Sequence, residues 1–293
     1  MSRKLKNKKI LVTGGAGFIG SNLCEFLAKN NDVVSLDNYI MGSEDNHVDK
    51  VKYIRGDVND IAAIFANEKF DNVFHFGEYS RVEQSLDERS KAFKNGLISF
   101  PSVLDYCVSV DAKLTYSASS TKFANNGAGP ALSPYTFFKA CNSELIQHYN
   151  RWYGLNYTTV YFYNAYGSRE ISGGRYATLI AKYKEFLRQG CKTLPVSKPG
   201  HQERNFTHIE DIVSGIICAT ELGEGDGYGI GADEAYTILE VCKMFGCEPK
   251  YYEANSANRM SAPVNNEKLK ALGWKQKHDL KNHIREFLNN TIN

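Results

Sequence analysis

Long apolar runs are missing from this sequence. Those present, such as Lys9-Ile10-Leu11-Val12, are of strand length, far short of the roughly 20 residues that span a bilayer as a helix. No membrane partner is therefore expected. A strong charge of one sign is missing as well: 35 Lys and Arg stand against 33 Asp and Glu, a net charge of +2. No global field then draws the chain to nucleic acid or to a lipid surface. The basic start, Met1 to Lys9, runs into a glycine turn instead of an apolar signal core, and reads as a solvated lead into a first strand. Among the seven cysteines there is no C-x-x-C pair. Cys242 and Cys247 form the one close couple, and no His pair stands near them at zinc-ligand spacing. The expectation is reduced thiols in a cytoplasmic protein without a metal site. Repeats and low-complexity tracts are absent too.

What is present is an ordinary globular composition, 42% apolar and 23% charged over 293 residues, which allows one or two domains. Strand-like runs at Lys9 to Val12, Asp32 to Leu36, Val51 to Ile54, Asn72 to Phe76 and Lys113 to Ser117 alternate with helix-permitting stretches such as Ser21 to Lys29 and Asp60 to Asn67. Strand, helix and strand at this spacing build right-handed crossovers and a parallel sheet covered on both faces. The fold class is therefore α/β, a Rossmann-type doubly wound sheet, whose ligands bind beyond the carboxyl ends of the strands. Two longer helical stretches follow, near Ser90 to Val110 and Tyr135 to Tyr153, and Pro101 inside the first predicts a kink or a helix start. Tyr157 to Phe162 reads as a further strand. From about Gly167 the alternation weakens. The expected division is a dinucleotide-binding core over 1–166 and a smaller substrate-binding α/β lobe over 167–293, interleaved with the last sheet strands.

Directly after the first strand comes Thr13-Gly14-Gly15-Ala16-Gly17-Phe18-Ile19-Gly20. Glycines at this spacing let the backbone turn tightly, approach a pyrophosphate closely and pack helix on strand, with the phosphates on the helix N-terminus. Gly-rich turns are common, so the pattern alone is not specific; the preceding strand, the following helix and Asp37 at the end of the second strand make it so. A carboxylate there can accept both ribose hydroxyls and repels a 2′-phosphate, which favours NAD over NADP. Asp57 in Gly56-Asp57-Val58 can meet an adenine amino group or can cap a helix, and the sequence leaves both open.

Pro134-Tyr135-Thr136-Phe137-Phe138-Lys139 places a phenol and an amine on one helix face. A phenol is a poor base at neutral pH, and a nearby ammonium favours its phenolate. Ser117-Ala118-Ser119-Ser120-Thr121 ends the preceding strand, so a serine there can hydrogen-bond the substrate hydroxyl whose proton the tyrosine removes.

These segments, together with Tyr163-Asn164-Ala165-Tyr166-Gly167, Arg204-Asn205-Phe206-Thr207-His208-Ile209-Glu210-Asp211 and Leu272-Gly273-Trp274, resemble the extended short-chain dehydrogenase/reductases. The likeness runs from about residue 8 to 288 and is strongest to UDP-glucose 4-epimerase-like nucleotide-sugar enzymes. The resemblance implies Ser119, Tyr135 and Lys139 as catalytic residues. It implies NAD contacts from Gly14, Gly17, Phe18, Ile19, Gly20, Asp37, Asn38, Gly42, Ser43, Asp57, Val58, Phe76, Gly77, Ser80, Asn95, Ser117, Tyr135, Lys139 and Tyr163. Asn164 and Arg204 would hold the diphosphate of a nucleotide sugar, with Arg259 and Glu78 as further substrate contacts, and the chain would be a homodimer. His208, Glu210 and Asp211 read as structural polar residues.

Family members that carry out 4,6-dehydration generally bear an Asp-Glu pair beside the catalytic hydroxyl. Here that stretch is Ser119-Ser120-Thr121-Lys122, without a carboxylate, which leaves 4-epimerisation through a transient 4-keto sugar ahead of dehydratase or net oxidoreductase chemistry; a non-catalytic NAD sensor is a remote reading. Departures from the family stand in His75-Phe76-Gly77-Glu78-Tyr79-Ser80-Arg81. Glu78 there reads either as an acid/base group near the sugar or as an ion partner of Arg81.

Overall fold

The computed structural model describes residues 5–254 and 259–292, so Met1 to Lys4 of the basic lead lie outside the described residues. Six strands, β1 (Lys9–Thr13), β2 (Asp32–Asp37), β3 (Val51–Arg55), β4 (Asn72–His75), β5 (Lys113–Ser119) and β6 (Tyr157–Phe162), form a parallel sheet. Seven shorter or later strands follow: β7 (Ala165–Tyr166), β8 (Thr193–Ser197), β9 (Glu203–Arg204), β10 (Thr207–His208), β11 (Gly225–Ile230), β12 (Tyr236–Thr237) and β13 (Glu248–Tyr252). Of these, β11 joins the large sheet, whose order is β11-β6-β5-β4-β1-β2-β3. The order reverses between β1 and β4, where Ile10 lies beside Asn72, and that reversal opens the crevice in which such sheets take ligands.

The strands are apolar throughout because both faces are covered. Side chains alternate between them: Leu11 and Val73 enter the core under the helices of one face, Ile10, Val12 and Phe74 that of the other. Each such side chain contributes about 1.5–3 kcal/mol when fully buried. A third core, with Tyr166, Tyr183, Leu194, Val241 and Ile284, sits among the elements after residue 165.

The helices that frame the crevice are α1 (Phe18–Leu27), α2 (Ile61–Ile64), α3 (Gln84–Asp87), α4 (Arg89–Phe93), α5 (Phe100–Val110) and α6 (Pro134–Tyr153). The stretch read as one helix near Ser90 to Val110 is broken. Between α4 and α5 the chain makes a π-helical turn over Lys94–Ile98, and Pro101 lies in the first turn of α5. Proline suits that place because its missing N–H would be unpaired there in any case. Helix α6 begins with a capping box: the Ser133 hydroxyl accepts the amide of Thr136, whose own hydroxyl accepts the amide of Ser133. It ends at Gly154, left-handed at φ 72°, a conformation glycine adopts without cost. These signals fix where Tyr135 and Lys139 enter the molecule.

Candidate active site

At the carboxyl ends of β1, β2, β4, β5 and β6 lies a cavity of about 470 Å³. Its floor is the turn after β1. Gly14 has φ +74°, and a methyl group on it would come within 2.7 Å of the Gly77 amide. A methyl on Gly20 would stand 2.1 Å from the Gly14 carbonyl oxygen. Only glycine lets the two loops and α1 approach this closely. Gly17 caps α1 without a side-chain bond, and the first turn holds no acidic residue, so the helix N-terminus is left to serve an anion. A pyrophosphate therefore fits the turn.

Asp37 closes this end. Its carboxylate is nearly buried and accepts the amides of Ala16 (2.9 Å) and Tyr39 (2.8 Å). Burial raises its pKa, and the two amides pull it back only in part. A carboxylate has about four lone-pair positions, so capacity remains for ribose hydroxyls. Asn38 donates to Asn95 (3.2 Å), whose backbone carbonyl accepts the Tyr79 amide. The π-helical turn thus ties the loops after β2 and β4 together at the cavity wall, consistent with such turns marking functional places.

At the other end stand Ser117, Ser119, Tyr135 and Lys139, all lining the same cavity. Ser119 Oγ accepts from the hydroxyl of Thr121 (2.9 Å), which fixes it at the mouth of β5. The Tyr135 ring packs edge-on against Phe138, centroids 5.4 Å apart. Lys139 is buried; its ammonium donates to the Ser117 carbonyl and pairs with Glu78. Three arginines, Arg81, Arg204 and Arg259, also line the cavity. Burial and the neighbouring Arg259 push Arg204 down to about 9, and Arg259 donates to Ser120 (3.2 Å). Guanidinium groups of this kind are suited to phosphate oxygens.

Most residues expected at the site line the cavity: Gly14, Gly17, Phe18, Ile19, Gly20, Asp37, Asn38, Gly42, Phe76, Gly77, Glu78, Ser80, Asn95, Ser117, Ser119, Tyr135, Lys139, Asn164, Arg204 and Arg259. Four do not. Ser43 caps the turn Glu44–Asn46, accepting the Asp45 amide. Asp57 caps Val58–Asp60 and takes both nitrogens of Asn59, and Val58 is buried in the sheet core. Tyr163 points inward and donates to the carbonyl of Pro263 (3.0 Å), tying down the late segment; Phe162 lines the cavity in its place. Glu78 corrects one of the two readings of its side chain. It is not the partner of Arg81, whose guanidinium goes to the Tyr176 carbonyl (Nη2, 2.6 Å). It does line the cavity, with its side chain 1% exposed and held against Lys139, Tyr116, Asn142 and His75. The sequence reading missed His75, Tyr116 and Asn142, which complete that cluster, and the segment Ala177 to Ile180, which covers the cavity. No short motif marks either group.

His208, Glu210 and His278 bring potential ligand atoms within 4.8 Å of one another. The His208 and His278 rings stack at 4.3 Å with 30° between their planes, and His278 Nε2 lies 3.4 Å from Glu210. Nδ1 of His208 accepts the Glu210 amide as a helix cap. Asp211, buried beside them, accepts the amides of Lys277 and His278, and its carbonyl accepts from the indole of Trp274. The late Leu272-Gly273-Trp274 motif is thus an anchor for the end of the chain.

The NAD dependent epimerase/dehydratase family model matches residues 10–231. A putative UDP-glucose 4-epimerase of Methanocaldococcus jannaschii is 26% identical over 96% of this chain and 97% of its own length. A trifunctional UDP-glucose 4,6-dehydratase/UDP-4-keto-6-deoxy-D-glucose 3,5-epimerase/UDP-4-keto-L-rhamnose-reductase of Arabidopsis thaliana is 25% identical over 97% of this chain, which spans 47% of that longer protein. Among solved structures, the UDP-glucose 4-epimerase of Thermus thermophilus in complex with NAD superposes with a TM-score of 0.86 at 25% identity, covering 97% of this chain and 99% of the other.

Proposed function

The chain belongs to the NAD dependent epimerase/dehydratase family, and on that premise we propose that it is a nucleotide-sugar 4-epimerase. One observation carries the reading. Ser119, Tyr135 and Lys139 meet in the cavity that also holds the glycine turn, and the segment from Ser119 to Lys122 offers hydroxyls and an amine but no carboxylate. That set can move one hydroxyl proton and offers nothing beside Ser119 to take a proton from carbon.

The glycine turn, Asp37, Asn38 and Lys139 would hold NAD, which when bound supplies a hydride acceptor that can also return the hydride. In this reading Tyr135 takes the proton of the sugar C4 hydroxyl, and Ser119 donates a hydrogen bond to the same oxygen and orients it. Arg81 and Arg259 line the same cavity as Tyr135. Asn164 and Arg204 grip the diphosphate, so the sugar can turn over while its nucleotide stays fixed. Ala177 to Ile180 line the same cavity.

A second reading, 4,6-dehydration, is favoured by Glu83, which lines the same cavity near Arg204. A proton NMR time course with a panel of UDP- and GDP-hexoses, run with absorbance at 340 nm, separates the two. Epimerisation gives a new anomeric signal without net NADH, whereas a 4-keto-6-deoxy product assigns dehydration; no turnover of any member of the panel would refute the epimerase reading. The chain is further proposed to be a homodimer. Ile98 (65% exposed), Phe137 (47%), Trp152 (59%) and Tyr153 (59%) lie along α6 and on the neighbouring π-helical turn, and exposed apolar groups of that size favour a partner. No helix among the described residues is long and apolar enough to cross a membrane.

A further inference from the structure

The cluster beneath the cavity has a composition that the proposed reaction does not require. Glu78 follows β4 and its carboxylate is almost fully enclosed. It faces the Lys139 ammonium, the Asn142 amide (2.8 Å), the Tyr116 hydroxyl (3.1 Å) and, more distantly, His75 Nε2 (3.4 Å). The Thr13 hydroxyl accepts the Gly77 amide and meets His75 Nδ1 at 2.7 Å. Its own proton is therefore best directed to Nδ1, which leaves the ring proton on Nε2, on the Glu78 side. Burial raises the Glu78 carboxyl, but the Lys139 charge and the His75 and Lys139 donors outweigh it and hold it below the usual range.

Lys139 has three N–H donors. One goes to Glu78 and one to the Ser117 carbonyl, and the third is left for the cavity that Lys139 lines. The titratable groups facing it are Glu78 from the loop after β4, His75 from β4, Tyr116 from β5 and Tyr135 one turn earlier on α6. Of these, Glu78 alone supplies a full negative charge at neutral pH. A buried amine without such a partner gives up its proton well below its ordinary value.

We propose that Glu78 is a positioning residue for Lys139: it keeps the enclosed amine protonated and fixes it so that one N–H faces the cavity. The cavity ligand that this N–H serves rests on the reading of the site as a dinucleotide site; the protonation of Lys139 does not, and the two are measured separately.

The first measurement is urea unfolding of the protein without added NAD, from about pH 7 to 10. In wild type Glu78 faces the Lys139 ammonium, and the proposal expects Lys139 to contribute no slope. In Glu78→Gln the folded state loses that proton while the unfolded state keeps it. Relative to wild type, the unfolding constant of the variant should then fall by up to about tenfold per pH unit as pH rises, ending near the ordinary Lys pKa of about 10.4. The double variant Glu78→Gln/Lys139→Met should lack this slope. Equal slopes in wild type and Glu78→Gln, with only a uniform loss of stability, would overturn the proposal. The second measurement is NAD affinity by calorimetry. Glu78→Asp keeps the charge but shortens the reach, so it should bind NAD about tenfold more weakly with the flat pH response of wild type. It is also the variant to use if Glu78→Gln does not fold. Wild-type affinity in Glu78→Asp would overturn the positioning role, and a steep alkaline loss of affinity in it would overturn the protonation role. Wild-type protein that binds no NAD would refute the dinucleotide reading and leave the unfolding slopes to decide the protonation of Lys139.

Discussion

Replacing Asp37 by Asn tests the nucleotide end of the cavity with the least change of shape. The two Asp37 oxygens accept the Ala16 amide at 2.9 Å and the Tyr39 amide at 2.8 Å. An Asn side chain offers one oxygen to one amide and must turn its NH₂ toward the other. One buried donor is then unpaired, at about 1–3 kcal/mol. The charge that would receive ribose hydroxyls is lost as well, and a hydrogen bond to a charged group is worth about 1.5–3 kcal/mol. Part of the first cost falls on stability and the second falls on binding, so the dissociation constant for NAD should rise about 10- to 100-fold. NADP should weaken far less, because the 2′-phosphate no longer meets a carboxylate, and the preference between the two should shrink. Because NAD meets the ionised form, and burial raises the Asp37 pKa, wild-type affinity should begin to fall on acidification above the ordinary Asp value of about 3.9. Calorimetric titration of both cofactors into both proteins reads this directly. An NAD constant within threefold of wild type would refute the role given to Asp37. Equal losses for NAD and NADP would show that the substitution acts only through the shape of the loop.

Tyr135→Phe keeps the ring against Phe138 and removes the proton acceptor. Turnover should fall about 10²- to 10⁴-fold while NAD affinity and melting temperature barely move; a drop below tenfold would place the proton chemistry elsewhere. In Gly20→Ala the new methyl would meet the Gly14 carbonyl oxygen at 2.1 Å, so α1 must shift from the turn. NAD binding should then be lost, with stability down by about 1–3 kcal/mol, and retained affinity in calorimetry would contradict the close approach. Asp211→Ala frees two amides, of Lys277 and His278, and should cost about 2–4 kcal/mol in urea unfolding, with kinetics near wild type in the protein that remains folded. Phe137→Lys places a charge on the exposed face of α6. Light scattering at micromolar concentration should show the mass halved relative to wild type, and a wild-type monomer would end the dimer proposal.

The sheet was legible because its strands are buried on both sides. A strand of that kind must be apolar along its whole length, so Lys9–Thr13 and Lys113–Ser119 stand out against the polar helices between them. The glycine turn and the start of α6 were legible for a similar reason: backbone geometry demands glycine in one and a cap in the other. Less legible was the split of the helix near residues 94–98, where Pro101 gave the new start but not the π turn. That turn is set by packing that sequence spacing does not record: a methyl on Gly96 would overlap the Phe138 ring at 2.6 Å, and the Gly96 carbonyl accepts from Asn142. Ser43 and Asp57 stand outside the cavity lining and are held by local bonds. Both are short polar side chains that accept the backbone amide two residues on, of Asp45 and Asn59, and that local bond competes with a bond to a ligand.

The loop after β4 shows most clearly where sequence proximity misleads. Glu78 and Arg81 are near neighbours with opposite charge, and on an exposed helix that spacing would pair them. They do not pair here, because the loop sits where a charge is tolerated only when many bonds meet it at once. A carboxylate moved out of water needs donors on both oxygens, and the sheet interior supplies them from Lys139, Asn142 and Tyr116. A guanidinium needs acceptors spread in a plane, and Arg81 finds the Tyr176 carbonyl with two of its nitrogens. The result separates two layers of charge that lie side by side in the chain. Below, Glu78 cancels Lys139; above, Arg81, Arg204 and Arg259 give the cavity wall a net positive charge. An anionic sugar nucleotide would thus be attracted by the arginines.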